Sequence, residues 1–392
     1  MIYTDPRNRS MLERAIVFIL LIGCFFGCIT DPKNKKSPDS TVGKYYNSSA
    51  TGFSIEDFGA YQKLTVTDPW QKSKNNQFDY YLVEKGRPFP EVLKGKQVFQ
   101  TPLHNVICLS TTHIGFVNAL GEIDAVTGLS GSAYVSNEAV KKGLAENRIH
   151  EVGNERGLNY EMILQLRPEV VFAYGVGSEI GAQINKLHDL GIPVVLVGEY
   201  LEQSPLAKAE WIKFLGAFFG KRRLADSVYA NIRLRYENIR KEVAKEKENP
   251  IVLTGLPFKD TWWMAGGQSN LAELIADAGG NYLWRENSSK EAFPVSLEEV
   301  FMRASKADFW INCGSVGNIN ELMAFDQRFS DLPAVKNSRV FNNNLRSTPG
   351  GGNDYWESGV VHPDLVLADL VAILHPKTGA GSDYYYYKHL LK

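Results

Sequence analysis

The sequence predicts an α/β protein of two similar lobes, each a parallel sheet with helices on both faces, joined by a long helix. Short unbroken apolar runs such as "VVFA" and "FWI" follow helical stretches and precede polar loops, as strands buried on both faces do. A helix–strand cassette occurs once in each half, "NYEMILQLRPEVVFAYG" at 159–175 and "VSLEEVFMRASKADFWINCG" at 295–314. Between the halves, residues 204–249 lack strand patterning and keep the three-or-four spacing of a helix face. With 392 residues the chain exceeds one typical core, so two domains plus appendages are expected.

The elements follow in order. Arg7, Arg9 and Arg14 precede "AIVFILLIGCFFGC", an apolar stretch too short to span a bilayer comfortably and ending in small residues and cysteines. Residues 1–28 thus resemble a bacterial lipoprotein signal, which implies lipidation at Cys28. "LIGC" at Cys24 fits the usual residue order better, whereas Cys28 avoids leaving "FFG" on the mature end. Residues 29–51, rich in Ser, Lys and Asn, read as a flexible tether.

An N-terminal lobe at 52–203 opens with alternating stretches, "KLTVTD" and "DYYLVE", that predict a few short strands. Strand–loop–helix alternation then begins at "NVICLS". "STTHIGFVNALG" has Ser110 and Thr111 as caps and Gly121 as a stop, "AVTGLSG" is the next strand, and "IPVVLVG" closes the lobe after the first cassette. The connecting helix starts at Ser204 and Pro205; Gly216 and Gly220 bend or break its first part, and the remainder would reach roughly 40 Å. A C-terminal lobe at 250–376 repeats the alternation with "PIVLTGL", "NLAELIADAGG", the second cassette and "RVFNNN". Residues 377–392 read as a tail.

In the first cassette Asn159 caps the helix, Pro168 ends it, and Glu161 sits in the first turn. In the second, Ser296 is the cap, Glu299 completes a capping box, and Glu298 stands where Glu161 does. The helix dipole favours a first-turn carboxylate by about 0.3–1 kcal/mol, which accounts for one such residue without any function. Two at matched positions of a pseudo-symmetric molecule suit a two-fold partner.

These cassettes, with "GGNDYWESGVVHPDLVLADLVAILHP" near the end, resemble the class III substrate-binding lipoproteins of ABC importers for iron chelates and cobalamin, over roughly residues 95–376. The resemblance implies a periplasmic protein lipid-anchored to a bacterial membrane, acting as a monomer. Its partners would be an ABC permease with its ATPase, docked through Glu161 and Glu298, and its ligand a ferric siderophore, haem or cobalamin. No enzymatic activity and no cofactor of its own are implied.

Ligands of open parallel sheets lie beyond the carboxyl ends of the strands. The loops there concentrate aromatics, and Tyr134, Tyr174, Phe258, Trp262, Trp263, Phe293, Tyr355 and Trp356 are the candidate ligand walls, with Arg346 to meet an anionic chelate. One of Trp262 and Trp263 must face away if "TWWM" is a strand. The Gly350–Gly352 run suits either a mobile loop or a close-packed turn. No His, Asp and Glu cluster has spacing for a naked metal ion, and Cys108 and Cys313 read as buried thiols. Forty-three basic against forty-four acidic residues, with no long basic block, exclude a nucleic-acid surface. A dinucleotide-dependent enzyme is the rival, on Gly175, Gly177 and Gly181 after a strand, although the third glycine comes one residue late. A surface lipoprotein without transport role is the other. "GLSGS" lacks the glycine a hydrolase elbow needs.

Overall fold

In the computed structural model, which describes residues 43–45, 47–154, 157–175, 179–259, 261–376 and 383–391, the alternating stretches at the start form a five-stranded sheet. Its strands are β1 (Gly43–Tyr45), β2 (Phe53–Asp57), β3 (Gln62–Thr67), β4 (Gln77–Glu84) and β5 (Val98–Thr101), antiparallel except for the β4–β5 pair. One face carries Phe53, Tyr80 and Phe99, which meet Trp211, Phe214 and Phe218 at centroid distances of 4.8 to 6.4 Å. The Tyr80 hydroxyl accepts the amide of Leu196 at 2.9 Å, so this sheet is built onto the first lobe. Cys24 and Cys28 lie outside the described residues.

The tether was expected to run to residue 51, but its last part is held. The buried carboxylate of Glu210 accepts the amides of Ser48, Ser49 and Ala50 at 2.8 to 2.9 Å, and Glu202 accepts those of Thr51 and Gly52. Burial works against the Glu210 charge, yet Lys213 and these amides hold its carboxyl below the usual range.

The first lobe contains β6 (Val106–Cys108), α1 (Thr111–Ala119), β7 (Val126–Leu129), α2 (Glu138–Ala145), β8 (His150–Glu151), α3 (Tyr160–Leu166), β9 (Val170–Ala173), α4 (Glu179–Asp189) and β10 (Val194–Leu196). Its sheet is parallel throughout, in the order β10-β9-β6-β7-β8, and every residue of β6 and β9 is buried. The order reverses between β6 and β9.

Helices α5 (Pro205–Phe218) and α6 (Arg222–Val243) connect the lobes. The break falls at Gly220, whose φ of +64° leaves the helical region. Gly216 breaks nothing: a Cβ there would come within 2.8 Å of the Ala225 Cβ, so its absence lets the two helices touch. The 22 residues of α6 span about 33 Å, shorter than expected because the helix stops at Val243.

The second lobe contains β11 (Ile251–Thr254), β12 (Thr261–Met264), α7 (Asn270–Asp277), β13 (Asn281–Tyr282), β14 (Phe293–Ser296), α8 (Leu297–Ala304), β15 (Phe309–Ile311), α9 (Ile319–Phe325), β16 (Val340–Asn342), α10 (Asp354–Glu357), α11 (Pro363–Leu374) and β17 (Lys388–His389). Its main sheet runs β13-β11-β15-β16-β17, with β17 antiparallel, so the lobes share an architecture but differ in strand order. Strands β12 and β14 pair beside it. The expected tail is part of this lobe: Asp369 accepts the amides of Tyr385, Tyr386 and Tyr387, and the last two side chains are fully buried.

Both cassettes are capped, Asn159 accepting from Met162 at 3.1 Å and Ser296 from Glu299 at 3.3 Å. Glu299 pairs with Arg303 at 3.0 Å instead of turning back on its cap. A second acid in each cassette pins the lobe's first strand. Glu169 accepts the amides of His104 and Asn105, and Asp308 accepts that of Ile251.

Candidate functional site

The reversal of strand order places a crevice beyond the carboxyl ends of β6 and β9. Leu109, Ser110 and Thr111 follow β6, Ser130 and Gly131 follow β7, and Tyr174 follows β9; with Tyr134 and the second lobe's Gly351, Asn353 and Trp356 they line an outer chamber of about 240 Å³. Tyr134, Tyr174 and Trp356 stay 50 %, 37 % and 59 % exposed there. Tyr174 is held edge-on by His113 at 6.2 Å and Tyr200 at 6.4 Å, and the Tyr200 hydroxyl donates to the Gly175 carbonyl. Burial pushes the His113 pKa down to about 3, so the imidazole is a neutral packing group under the chamber.

Trp356 also borders an inner chamber of about 210 Å³, which Thr112, Glu199, Tyr200, Lys208, Asn270 and Tyr355 help to line. The two volumes together fall within the ~300–1,000 Å³ range of small-molecule sites. Glu199 is 2 % exposed and accepts the Thr112 hydroxyl at 2.6 Å. Burial raises its carboxyl pKa against the opposing pull of Thr112 and Lys208; burial lowers that of Lys208 against Glu199 and Glu202.

The lobes touch along a seam beside the outer chamber. Cβ atoms at Gly350 and Gly352 would stand 2.7 Å from the Ala133 carbonyl oxygen and 2.5 Å from that of Tyr134, so the glycine run is a close-packed turn. Glu357 reaches from the second lobe to accept the Ser136 amide at 2.7 Å, just ahead of α2. Burial pushes its carboxyl pKa up to about 7, against the Ser136 amide and with the help of the Asp354 charge. Gly115 on α1 admits the Glu357 carbonyl oxygen where a Cβ would stand.

The other expected wall residues are dispersed. Trp262 is in the core, its indole donating to the Thr254 carbonyl at 3.1 Å and its ring against Trp310 and Phe329, because strand alternation turns it inward. Trp263 alternates outward and is exposed, and Phe258 is exposed with Lys259 over its ring, but neither lines the two chambers. Phe293 is half-buried against the second lobe's core. Tyr355 is 9 % exposed, packed edge-on to Tyr386 and Tyr387, and shows the inner chamber only one side. Arg346 pairs with Asp354 at 2.6 Å and lies over Tyr385, in a groove apart from both chambers. Glu161 and Glu298 are exposed in their first turns.

Glu199, Lys208 and Asn270 went unnoticed in the sequence. The signal for Glu199 was available, since "GEY" follows the strand "VVL" and loops after strands face the crevice. A larger concavity than either chamber, about 1070 Å³, lies elsewhere, between the N-terminal sheet and the Gly220 turn. It is open, and several of its lining charges pair with one another, Arg222 with Asp57 and Asp226, and Arg87 with Glu84.

A family model described as periplasmic binding protein matches residues 106–343, more than half of the chain. The chain belongs to the periplasmic binding protein family. This family is one of solute-binding rather than catalytic proteins and supplies ABC importers. An uncharacterized lipoprotein of Methanocaldococcus jannaschii is 28% identical over 316 residues, 77% of this chain and 73% of the relative. Among solved structures, a periplasmic heme binding protein from Pseudomonas aeruginosa superposes with a TM-score of 0.56 at 18% identity, covering 72% of this periplasmic binding protein and 96% of that chain. A periplasmic vitamin B12 binding protein of Vibrio cholerae gives 0.50 at 16%, covering 70% and 97%. The dinucleotide reading finds no support in the fold. Its fingerprint belongs to the first strand–helix turn, and here that turn is Leu109, Ser110 and Thr111, without glycine. Gly175 is buried in a bridge with Trp70, Gly181 lies inside α4, and Gly177 is outside the described residues.

Proposed function

We propose that this periplasmic binding protein captures a bulky metal chelate, a ferric siderophore, haem or cobalamin, between its lobes and delivers it to an ABC permease. The observation that carries the reading is the outer chamber at the strand-order reversal, walled by the exposed rings of Tyr134, Tyr174 and Trp356 from both lobes. Flat apolar walls with little charge suit a large planar or caged ligand. That solved relatives bind heme and vitamin B12 supports the same class. Glu161 and Glu298, both exposed, would dock the permease, and lipidation at Cys28, or at Cys24, would hold the monomer at the membrane.

Titration of the full-length protein in detergent with haem, cobalamin and a ferric hydroxamate siderophore, read by tryptophan fluorescence and absorbance, tests it. One chelate class should give saturable quenching that Trp356→Ala weakens at least tenfold. Silence from all three in the wild type would refute the chelate reading.

A further inference from the structure

Two side chains that line the inner chamber each carry a buried polar atom with no hydrogen-bond partner among the described residues, Glu199 Oε2 and Asn270 Nδ2. They come from different parts of the molecule, Glu199 from the first lobe's exit and Asn270 from the first residue of α7, and both line one cavity with Lys208. Buried polar groups in folded proteins are nearly always paired, and each exception calls for a bonding partner. The chamber thus offers one acceptor and two kinds of donor, behind an indole that also walls the outer chamber.

We propose that the inner chamber is a specificity subsite for a short neutral arm of the ligand that carries both a donor and an acceptor, a primary carboxamide above all. Its N–H would donate to Glu199 Oε2, and its carbonyl would accept from Asn270 Nδ2 or Lys208. A carboxylate would meet the Glu199 charge, an ammonium would meet Lys208, and a hydrocarbon arm would leave all three groups unpaired. The size agrees: an apolar cavity of about 150 Å³ is known to hold benzene, so 210 Å³ takes an arm of comparable bulk. The subsite rests on the cleft reading above, because the body of the ligand would occupy the outer chamber while its arm passes Trp356.

Propionamide and propionate serve as probes, titrated into the deuterated full-length protein while the Asn270 side-chain amide resonance is followed. Propionamide should shift it saturably in the millimolar range, and propionate should bind at least tenfold more weakly. Glu199→Gln keeps the shape and removes the charge, so it should narrow that preference as Lys208 gains a carboxylate partner, and Asn270→Leu should abolish propionamide binding as read by equilibrium dialysis. No saturable shift with propionamide, or equal binding of both probes, would overturn the proposal and leave the chamber a water site. Chelate quenching of Trp356 without propionamide binding removes the subsite and keeps the cleft; propionamide binding without chelate quenching supports the subsite and removes the chelate.

Discussion

Substituting Gly352→Ala tests whether the glycine run closes the seam by direct backbone packing. The backbone φ of Gly352 lies outside the left-handed region, so alanine can adopt it and the effect isolates the close approach. The new methyl would stand 2.5 Å from the Tyr134 carbonyl oxygen and 2.8 Å from Thr348 Oγ1. A carbon–oxygen contact rests at about 3.3 Å or more, so one side must yield by roughly 0.8 Å. Neither side yields easily: the Tyr134 amide donates to Gly131, and the Gly352 carbonyl accepts from Thr348 at 2.7 Å. Overpacking of this kind costs about 1–3 kcal/mol. If the lobes part instead, the Ser136 amide loses the Glu357 carboxyl, and an ordinary hydrogen bond is worth about 0.5–1.5 kcal/mol. Urea unfolding should therefore show a loss of about 1–3 kcal/mol, and hydrogen exchange at the Ser136 amide should quicken. Gly181→Ala is the control: nothing lies within 4 Å of its Cβ inside α4, so it should be neutral or stabilising by up to about 1 kcal/mol. A Gly352→Ala protein within 0.5 kcal/mol of wild type (a threshold of about experimental error) and with unchanged Ser136 exchange would show that the turn is loose.

Three further outcomes follow from the same geometry. The folded pKa of Glu357 lies above its unfolded value, so its share of stability is full below about pH 4.5 and is lost as pH rises through about 7; wild type should lose up to roughly 3 kcal/mol relative to Glu357→Gln between pH 5 and 8 in urea melts, and parallel pH profiles would contradict the buried carboxyl. Trp262→Ala should cost about 3–5 kcal/mol by emptying a core site, whereas Trp356→Ala should change stability by less than about 1 kcal/mol and act on ligand binding; the reverse pattern in thermal and binding assays would exchange their roles. Glu161→Lys combined with Glu298→Lys should abolish chelate uptake by cells while leaving the purified protein's affinity unchanged, and undiminished uptake would end the docking role.

The alternation of buried runs and capped helices made the lobes legible, since strands such as Val170–Ala173 carry their burial in composition and Asn159 and Ser296 carry their caps in chemistry. Strand order was not legible. Both halves read as the same string of elements, yet β7 and β8 both extend one side of β6, whereas β13 and β15 flank β11 on opposite sides, a choice made by packing at a distance. The same limit governs the site. Trp262 and Trp263 are adjacent and chemically identical, and only the pairing of β12 with β14 decides which one is core. Glu210 falls within the expected connecting helix and Glu202 just ahead of it, yet both are buried and accept the amides of residues 48–52, and no local pattern announces a partner some 150 residues away.

The cassette geometry bears on how such a protein would meet a membrane partner. In a parallel sheet each helix runs opposite to the strand it feeds, so the first turn of α3 or α8 lies at the carboxyl edge of its sheet. That edge is where the crevice opens, which puts Glu161 and Glu298 on the same side of the molecule as the chambers. Glu169 and Asp308, at the far ends of the same cassettes, lock each helix–strand unit to the first strand of its lobe. Glu161 and Glu298 would therefore ride each on its own lobe, and their separation would report how far the lobes stand apart at the mouth of the cleft. A permease bridging both would sense that separation directly, without any contact with the ligand.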